Sequence, residues 1–438
     1  MTETQEKTGL GNYFVANYPP FSFWKPAHLD DAKAALNSAP KSGVPLGLYL
    51  HIPFCRKRCK FCYFRVYTDK NARDVEVYSD ALVKEVELCS RLPVVGGRSL
   101  DYVYFGGGTP SYLSASQLRD LMGRLQAIMP WKQAREVTFE CEPGTLQRHK
   151  LEALYELGVT RLSLGVENFK PEILEFNGRA HLEEEIYRAY GWARDIGFQQ
   201  INIDLIAGMV GEDWDNWREC LRKTIAMAPE SVTIYQMELP FNTRFSQELK
   251  VIGQGEPALA IADWPTKRDW VDYAFDELAA AGYEISSAYT MVRDKKKTQF
   301  VYRDALWHGA DMFGTGVASF GHLNGVHVQN VDMWEQYIGM LEKDELPLNR
   351  ALPTTPRDRL IREMILQLKT GRVNGGYFRK KFGADIREEF RTGFEQLADD
   401  ELLTLTEDGV ELTRKGLLQI DRHLPVFFDA QYRSARYT

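Results

Sequence analysis

The chain has 438 residues, 44% of them hydrophobic and 26% charged, with a formal net charge of −7. That is ordinary globular composition, long enough for one large domain plus a smaller one. It excludes a disulfide scaffold, a general nucleic-acid binder and a membrane span, because six cysteines in 438 residues are too few, the balance is acidic and no apolar run approaches about 20 residues.

Met1 to Lys7 is polar, without the apolar core of a signal peptide, so a reducing, cytoplasmic setting is expected. Residues 1–44 read as an N-terminal extension. Its run Tyr13 to Trp24 is aromatic and broken by Pro19 and Pro20, so neither a regular helix nor an inner strand is expected. Such a segment should lie across the main domain as a strap, or help to enclose a substrate.

Residues 45–285 alternate strand-like and helix-like segments. Strands are expected at Leu46–Ile52, Leu100–Phe105, Glu136–Glu140, Arg161–Val166, Ile201–Ile206 and Ser231–Gln236. A helix is expected from Val75 to Leu92, and another from Ser114, its cap, to Ile128. Strand–helix alternation with short connections implies α/β architecture, a parallel sheet covered by helices. In parallel barrels, sites collect at the C-terminal ends of the strands.

The first strand runs directly into Cys55, Cys59 and Cys62, spaced C-x3-C-x2-C. Structural zinc asks for four protein ligands, and this loop offers three. An iron–sulfur cubane held by three thiolates would keep one iron open. Spacing alone leaves three unrelated thiols, a zinc site completed elsewhere, and a cluster all open. Cys89, Cys141 and Cys220 are scattered and read as buried thiols.

Chemistry-bearing residues then gather at the ends of later strands. Gly106-Gly107-Gly108-Thr109-Pro110 follows the second, and its glycines permit close backbone approach. Glu140 and Glu142 end the third, where Glu142, just before Pro143, reads as a cap on the next helix. Glu167 ends the fourth, Asn177-Gly178-Arg179-Ala180-His181 follows, and Asp204 lies in the fifth. Beyond Leu239 an irregular stretch leads to about Trp264. A helix over Arg268–Ala281 and a strand over Tyr283–Tyr289 come next. Residues 286–352 form a connecting segment holding Trp307 and a G-x-G at Gly314 to Gly316, which lacks the context of a dinucleotide site. Residues 353–438 read as charged helices with a hairpin from Leu402–Thr406 and Val410–Leu412, a small helical, winged-helix-like domain. Without a basic surplus it is a lid or docking module, not a DNA reader.

Tyr49-Leu50-His51-Ile52-Pro53-Phe54-Cys55, leading into C-x3-C-x2-C, closely resembles the radical S-adenosylmethionine (SAM) superfamily. Within it the run resembles the branch of oxygen-independent coproporphyrinogen III oxidases, heme chaperones and class C methyltransferases. The G-G-G-T-P turn, N-G-R-A-H, N-I-D-L-I-A-G and the Trp307–Gly321 segment extend the likeness over residues 12–425. The resemblance implies a partial six-stranded (β/α)6 barrel. It implies a 4Fe–4S cluster on Cys55, Cys59 and Cys62, whose open iron chelates SAM; one electron then yields a 5′-deoxyadenosyl radical. It also implies SAM contacts at Tyr49, Gly107, Gly108, Thr109, Glu140, Glu167, Arg179 and Asp204. Two departures stand out. Glu167 replaces an amide, removing a donor and adding charge, and Cys62-Tyr63-Phe64-Arg65 lacks the further Cys of coproporphyrinogen oxidases.

The first functional reading is a radical SAM oxidoreductase acting on a flat tetrapyrrole or heteroaromatic, with Trp307 and the aromatic N-terminus suited to a flat substrate. A flavodoxin- or ferredoxin-like donor would supply the electron to a monomer. The alternatives are a class C methyltransferase or cyclopropanase using two SAM molecules, and a heme-delivery protein. For the last, His51, His181, His308, His322 and His327 are candidate ligands, although a lone His is more often packed or capping.

Overall fold

The computed structural model describes residues 14–240, 243–246 and 261–433. Tyr13 and much of the irregular stretch before Trp264 lie outside them. Six parallel strands form in sequence order: β1 (Leu46–Ile52), β2 (Tyr102–Gly107), β3 (Glu136–Cys141), β4 (Arg161–Glu167), β5 (Gln200–Ala207) and β6 (Ser231–Gln236). Each lies beside its predecessor. Right-handed crossovers with no reversal of order put every covering helix on one face of the sheet. The other face is left for a site.

Strand periodicity carries this out. Leu48 and Leu50, Val103 and Phe105, Val137 and Phe139, Leu162 and Leu164, Ile201 and Ile203, and Val232 and Ile234 share one buried core. The residues between them are polar or small: Tyr49, His51, Tyr104, Glu140, Ser163, Gly165, Asn202 and Asp204. Successive strand side chains point to opposite faces, so these line the opposite, inner face.

The sheet continues past β6. Two short strands, β7 (Glu284–Ile285) and β8 (Thr290–Val292), add antiparallel at its edge. The single strand expected over Tyr283–Tyr289 is therefore interrupted. The amides of Ser286 and Ser287 both donate to the Thr290 carbonyl, closing a tight turn. On the other side β9 (Asp311–Thr315) pairs parallel with β1. Strands β10 (Phe320–Leu323), β11 (Val326–Asn330) and β12 (Leu348–Pro353) then continue antiparallel, giving twelve strands in one open sheet. Strand β2 starts two residues later than expected and runs on to Gly107, because Gly106 and Gly107 pair with His51 and Ile52.

Helix starts follow their caps. Asn71 with Asp74 opens Ala72–Ser90, Ser114 with Gln117 opens Ala115–Ile128, and Thr355 with Asp358 opens Pro356–Leu368, each as a capping box. The C-terminal unit adds a three-stranded antiparallel sheet, β13 (Arg372–Asn374), β15 (Gly409–Leu412) and β14 (Leu403–Thr406), to its helices. Among the described residues no helix is long and apolar enough to cross a membrane.

The N-terminal segment is a strap. Tyr18 is buried against Phe428 and Tyr432, and Trp24 stacks on His327 with ring centroids 4.8 Å apart. Lys25 exchanges backbone hydrogen bonds with Ala351, covering part of edge strand β12. The Lys369 ammonium, fully buried, donates to the Val15 carbonyl at 2.6 Å and pairs with Asp421 at 2.7 Å. Trp307, expected to face a flat substrate, is buried in the core instead.

Glu85, on the helix behind β1, ties that helix to the β9 side. It accepts from the Gly316 amide at 2.7 Å and from Asn330 Nδ2 and Tyr337 Oη, each at 2.6 Å. Burial pushes its carboxyl up to about 7. Because its folded value is raised, its contribution to stability is full below about 4.5 and is lost as pH rises through 7. Glu85→Ala orphans these buried donors and is expected to cost roughly 3 kcal/mol in urea unfolding. An unchanged midpoint would show that the three bonds contribute nothing.

Candidate functional site

The cysteine loop leaves β1 at its C-terminal end and is held from several sides. The Cys55 amide donates to Tyr67 O at 3.0 Å, Tyr67 N returns to Pro53 O at 2.7 Å, and Lys60 N donates to Asn177 O at 3.0 Å. Gly108, at the end of β2, passes so close that a Cβ there would lie 2.9 Å from the carbonyl oxygens of Ile52 and Phe54. Gly107 adopts φ +110°, and its Cβ would meet the His51 ring at 2.6 Å. The close approach expected of this glycine turn is thus made to the cysteine loop and its strand.

Arg56 on the loop forms a bidentate pair with Glu142, Nη2 to Oε1 at 2.6 Å and Nε to Oε2 at 3.2 Å. Glu142 makes no side-chain cap to the helical turn that follows it. The capping role read from its position before Pro143 is therefore replaced by a clamp on the loop, a bond geometry that suits a guanidinium fork.

Cys55, Cys59 and Cys62 are free and partly exposed, whereas Cys89, Cys141 and Cys220 are free and buried. Thr109 Oγ1 donates to Cys55 Sγ at 3.3 Å, and Arg179 Nη1 to Cys59 Sγ at 3.5 Å. Burial pushes the Cys55 thiol up to about 11 and that of Cys62 to about 12. A metal that binds them must therefore displace their protons. Among the described residues no three His, Cys, Asp or Glu side chains form a group able to hold one metal ion. Single-ion zinc needs its ligands converged on one tetrahedron. Cubane ligands go to different irons, so the thiols need not meet at a point.

Beside the thiols the inner face carries three half-buried carboxyls. Glu140 accepts from Tyr104 Oη at 2.6 Å and from the Gly107 amide at 3.2 Å. Asp204 accepts from Ser163 Oγ and Asn202 Nδ2, both at 2.8 Å. Glu167 sits at a register shift between β4 and β5 with φ 65°, and its Oε1 is 3.7 Å from Arg179 Nη2. A bulky residue held at positive φ is strained, and such strain concentrates at binding sites. Burial pushes Glu140 and Glu167 up to about 7 and Asp204 to about 6. Arg179 also donates to the Gly165 carbonyl, while its buried Nε has no partner.

The sequence-expected residues are thus gathered at the C-terminal ends of β1 to β5. Tyr49 reaches them indirectly, stacking on Tyr104 and contacting His51 Nδ1 at 3.2 Å. Tyr104, Ser163, Asn202 and Arg56 were not anticipated. The first three were detectable as polar residues alternating with apolar ones within buried strands. The histidines proposed for heme are otherwise engaged. His51, His181, His322 and His327 are buried, with His181 bonded to Val166 O, His327 to Tyr18 O, and His322 to His327 at 2.9 Å. Burial drives His51 down to about 4 and His327 to about 3, so they are neutral. His308 contacts Asp304 O at 2.7 Å.

Comparison with known proteins gives this site its class. Residues 49–224 match the Radical SAM superfamily. Residues 354–418 match the HemN C-terminal domain. It is similar to the heme chaperone HemW of Bacillus subtilis, 28% identical over 375 residues, covering 84% of this chain and 96% of that protein. It is equally 28% identical over 404 residues to the oxygen-independent coproporphyrinogen III oxidase of Salmonella typhimurium, covering 89% and 86%. The structure of coproporphyrinogen III oxidase (HemN) from Escherichia coli shares the fold, with TM-score 0.82 and 24% identity over 95% of this chain and 97% of that one.

The superfamily uses a 4Fe–4S cluster and SAM. The residues present fit both: three thiols on one loop, two donors aimed at sulfur, an unpartnered guanidinium Nε and three half-buried carboxyls for a cationic ligand. A cation set against Glu140, Glu167 and Asp204 must displace protons these groups still hold near pH 6. Affinity for SAM is therefore expected to rise about tenfold from pH 5.5 to 8, measured by calorimetry. A flat profile would show that the carboxyls do not face the ligand.

Proposed function

We propose that the chain is a radical SAM enzyme that takes a hydrogen atom from a flat, tetrapyrrole-like substrate, in the manner of an oxidative decarboxylase. The observation that carries this reading is the Arg179 guanidinium, which touches Cys59 on one side and Glu167 on the other, joining the thiol loop to the carboxyl face. In this reading Cys55, Cys59 and Cys62 hold the cluster. Arg179 clamps the carboxylate of SAM, and Glu140, Glu167 and Asp204 with the Gly107-Gly108-Thr109 turn hold its ammonium, sulfonium and ribose. When bound, these groups supply a 5′-deoxyadenosyl radical from SAM and one electron.

The chain's own residues would orient and shield. Thr109 and Arg179 donate to the thiolates and so help to set their potential. Tyr104 fixes Glu140, and Asn202 with Ser163 fixes Asp204, so the ligand meets acceptors already in place. The exposed Tyr63–Phe64 pair follows the third cysteine and offers flat apolar surface beside the site. Both named relatives concern a tetrapyrrole, coproporphyrinogen in one and heme in the other. The engagement of the buried histidines favours the enzymatic reading over heme delivery. The free state of all six cysteines supports a reducing, cytoplasmic setting.

Two experiments test this. Replacing Cys55, Cys59 or Cys62 with Ala should abolish the cluster, read as iron, sulfide and visible absorption, because two protein ligands hold a cubane poorly. Retention in one variant would remove that residue from the set. Anaerobic incubation with SAM, a reductant and coproporphyrinogen III should give 5′-deoxyadenosine and a product lighter by carboxyl mass. S-adenosylhomocysteine in stoichiometric yield would instead indicate methyl transfer, and heme uptake without SAM cleavage would indicate delivery.

A further inference from the structure

Arg58 stands between the first two cysteines of the loop, and nothing assigned so far uses its side chain. The inference drawn from it rests on the reading of Cys55, Cys59 and Cys62 as cluster ligands. The loop carries three consecutive cations, Arg56, Lys57 and Arg58, and they meet three different fates. Arg56 turns to Glu142, which takes its charge in a bidentate pair. Lys57 is exposed to solvent. Arg58 folds back along the loop: its Nη2 donates to Cys62 O at 3.2 Å, and its Nε is buried with no hydrogen-bond partner. The backbone around it is fixed. A Cβ on Gly178 would lie 3.2 Å from Arg58 O, Lys60 N donates to Asn177 O at 3.0 Å, and Cys62 N closes a turn onto Cys59 O at 3.2 Å.

A guanidinium carries five donors and no acceptor, and on a surface loop all five can reach water. A buried N–H without an acceptor forfeits its hydration. The folded-back pose therefore indicates an acceptor that the protein itself does not supply. The thiols point the same way. Cys55 and Cys59 each face a side-chain donor, Thr109 and Arg179. Among the described residues no side chain bonds to Cys62 Sγ, yet the Arg58 guanidinium is held at the carbonyl of that residue. Arg179, the other arginine at the thiols, likewise keeps a buried Nε without a partner.

We propose that Arg58 Nε–H donates a hydrogen bond to a sulfur of the cluster, on the side held by Cys62, and that this bond raises the reduction potential of the cluster. Reduction adds one electron and exchanges no atom. The added negative charge falls partly on sulfur, where a charge-assisted N–H bond is stronger. Hydrogen bonds to the sulfurs and net charge are among the means by which a protein sets such potentials. Arg58 thereby sets how readily the cluster accepts its electron. That task is separate from ligation by the cysteines and from the carboxylate clamp proposed for Arg179.

The test uses the reconstituted full chain and its Arg58→Gln and Arg58→Lys variants, compared at equal iron and sulfide content. Midpoint potentials are read by electron paramagnetic resonance during redox titration without SAM. Arg58→Gln should make one-electron reduction about tenfold less favourable, a fall of about 59 mV. Arg58→Lys keeps the charge but lacks the Nε–H, and should recover only part of that fall. A native potential in either variant would overturn the bond. A second measurement needs no change at Arg58. In Arg179→Ala labelled with 15N-arginine, pulsed electron paramagnetic resonance of the reduced cluster should still show a coupled arginine nitrogen. Its absence there would overturn the assignment as well. A wild-type chain that assembles no 4Fe–4S cluster would instead overturn the reading of the thiols on which the inference rests.

Discussion

Arg179 is the residue on which the site depends. Its guanidinium is largely buried in a place where ionisation is costly, and it stays charged because acceptors surround it: Cys59 Sγ, the Gly165 carbonyl and the Glu167 carboxylate. Burial alone would lower its pKa. The thiol and the carboxylates, Glu167 and Glu142 among them, outweigh that and raise it. The loop that bears it is fixed by Gly178, whose φ of +82° brings the chain against the cysteine loop. One cation thus joins the thiol loop to the carboxyl face.

The architecture supplies the rest. Parallel strands wound in one direction put their crossover helices on one face; on the other, the helix Val301–Trp307 packs against Tyr102 and Tyr104, and strand alternation puts polar residues toward the strand ends. The second layer of that face fixes the first, with Ser163 and Asn202 under Asp204 and Tyr104 under Glu140. The strap and the C-terminal domain are locked together through Lys369, Asp421 and Val15. Glu85 does the same for the β9 side of the sheet.

The site was more legible in sequence than its surroundings were. Six strands, their order and the cysteine loop follow from local periodicity and from a motif with narrow chemical meaning. The helix start at Ala115 follows from its Ser114 cap, whereas the helix expected from Val75 starts at Ala72, where Asn71 and Asp74 form a capping box. What was missed depends on partners distant in sequence. Glu142 reads as a cap because Pro143 follows it, yet Arg56, 86 residues away, takes the carboxylate. Gly107 and Gly108 read as a ligand turn, and what local sequence did not show is that the neighbouring strand and loop also need their missing side chains. Strands β9 to β12 carry no helix between successive members except before β12, so they do not show as βα units and their joining to β1 could not be read. Trp307 looked available for a flat substrate, but its burial is decided by the packing of the helix that carries it.

The central claim is that the three-cysteine loop and the Arg179–carboxyl face form one site, in which SAM binds the cluster directly. Electron–nuclear double resonance on the reduced protein with SAM carrying a 15N-labelled amino group measures this most directly. The account predicts the strong hyperfine coupling of an iron-bound nitrogen in the native protein, weakened or lost in Arg179→Ala with its cluster intact. Weak, purely dipolar coupling in the native protein would contradict it.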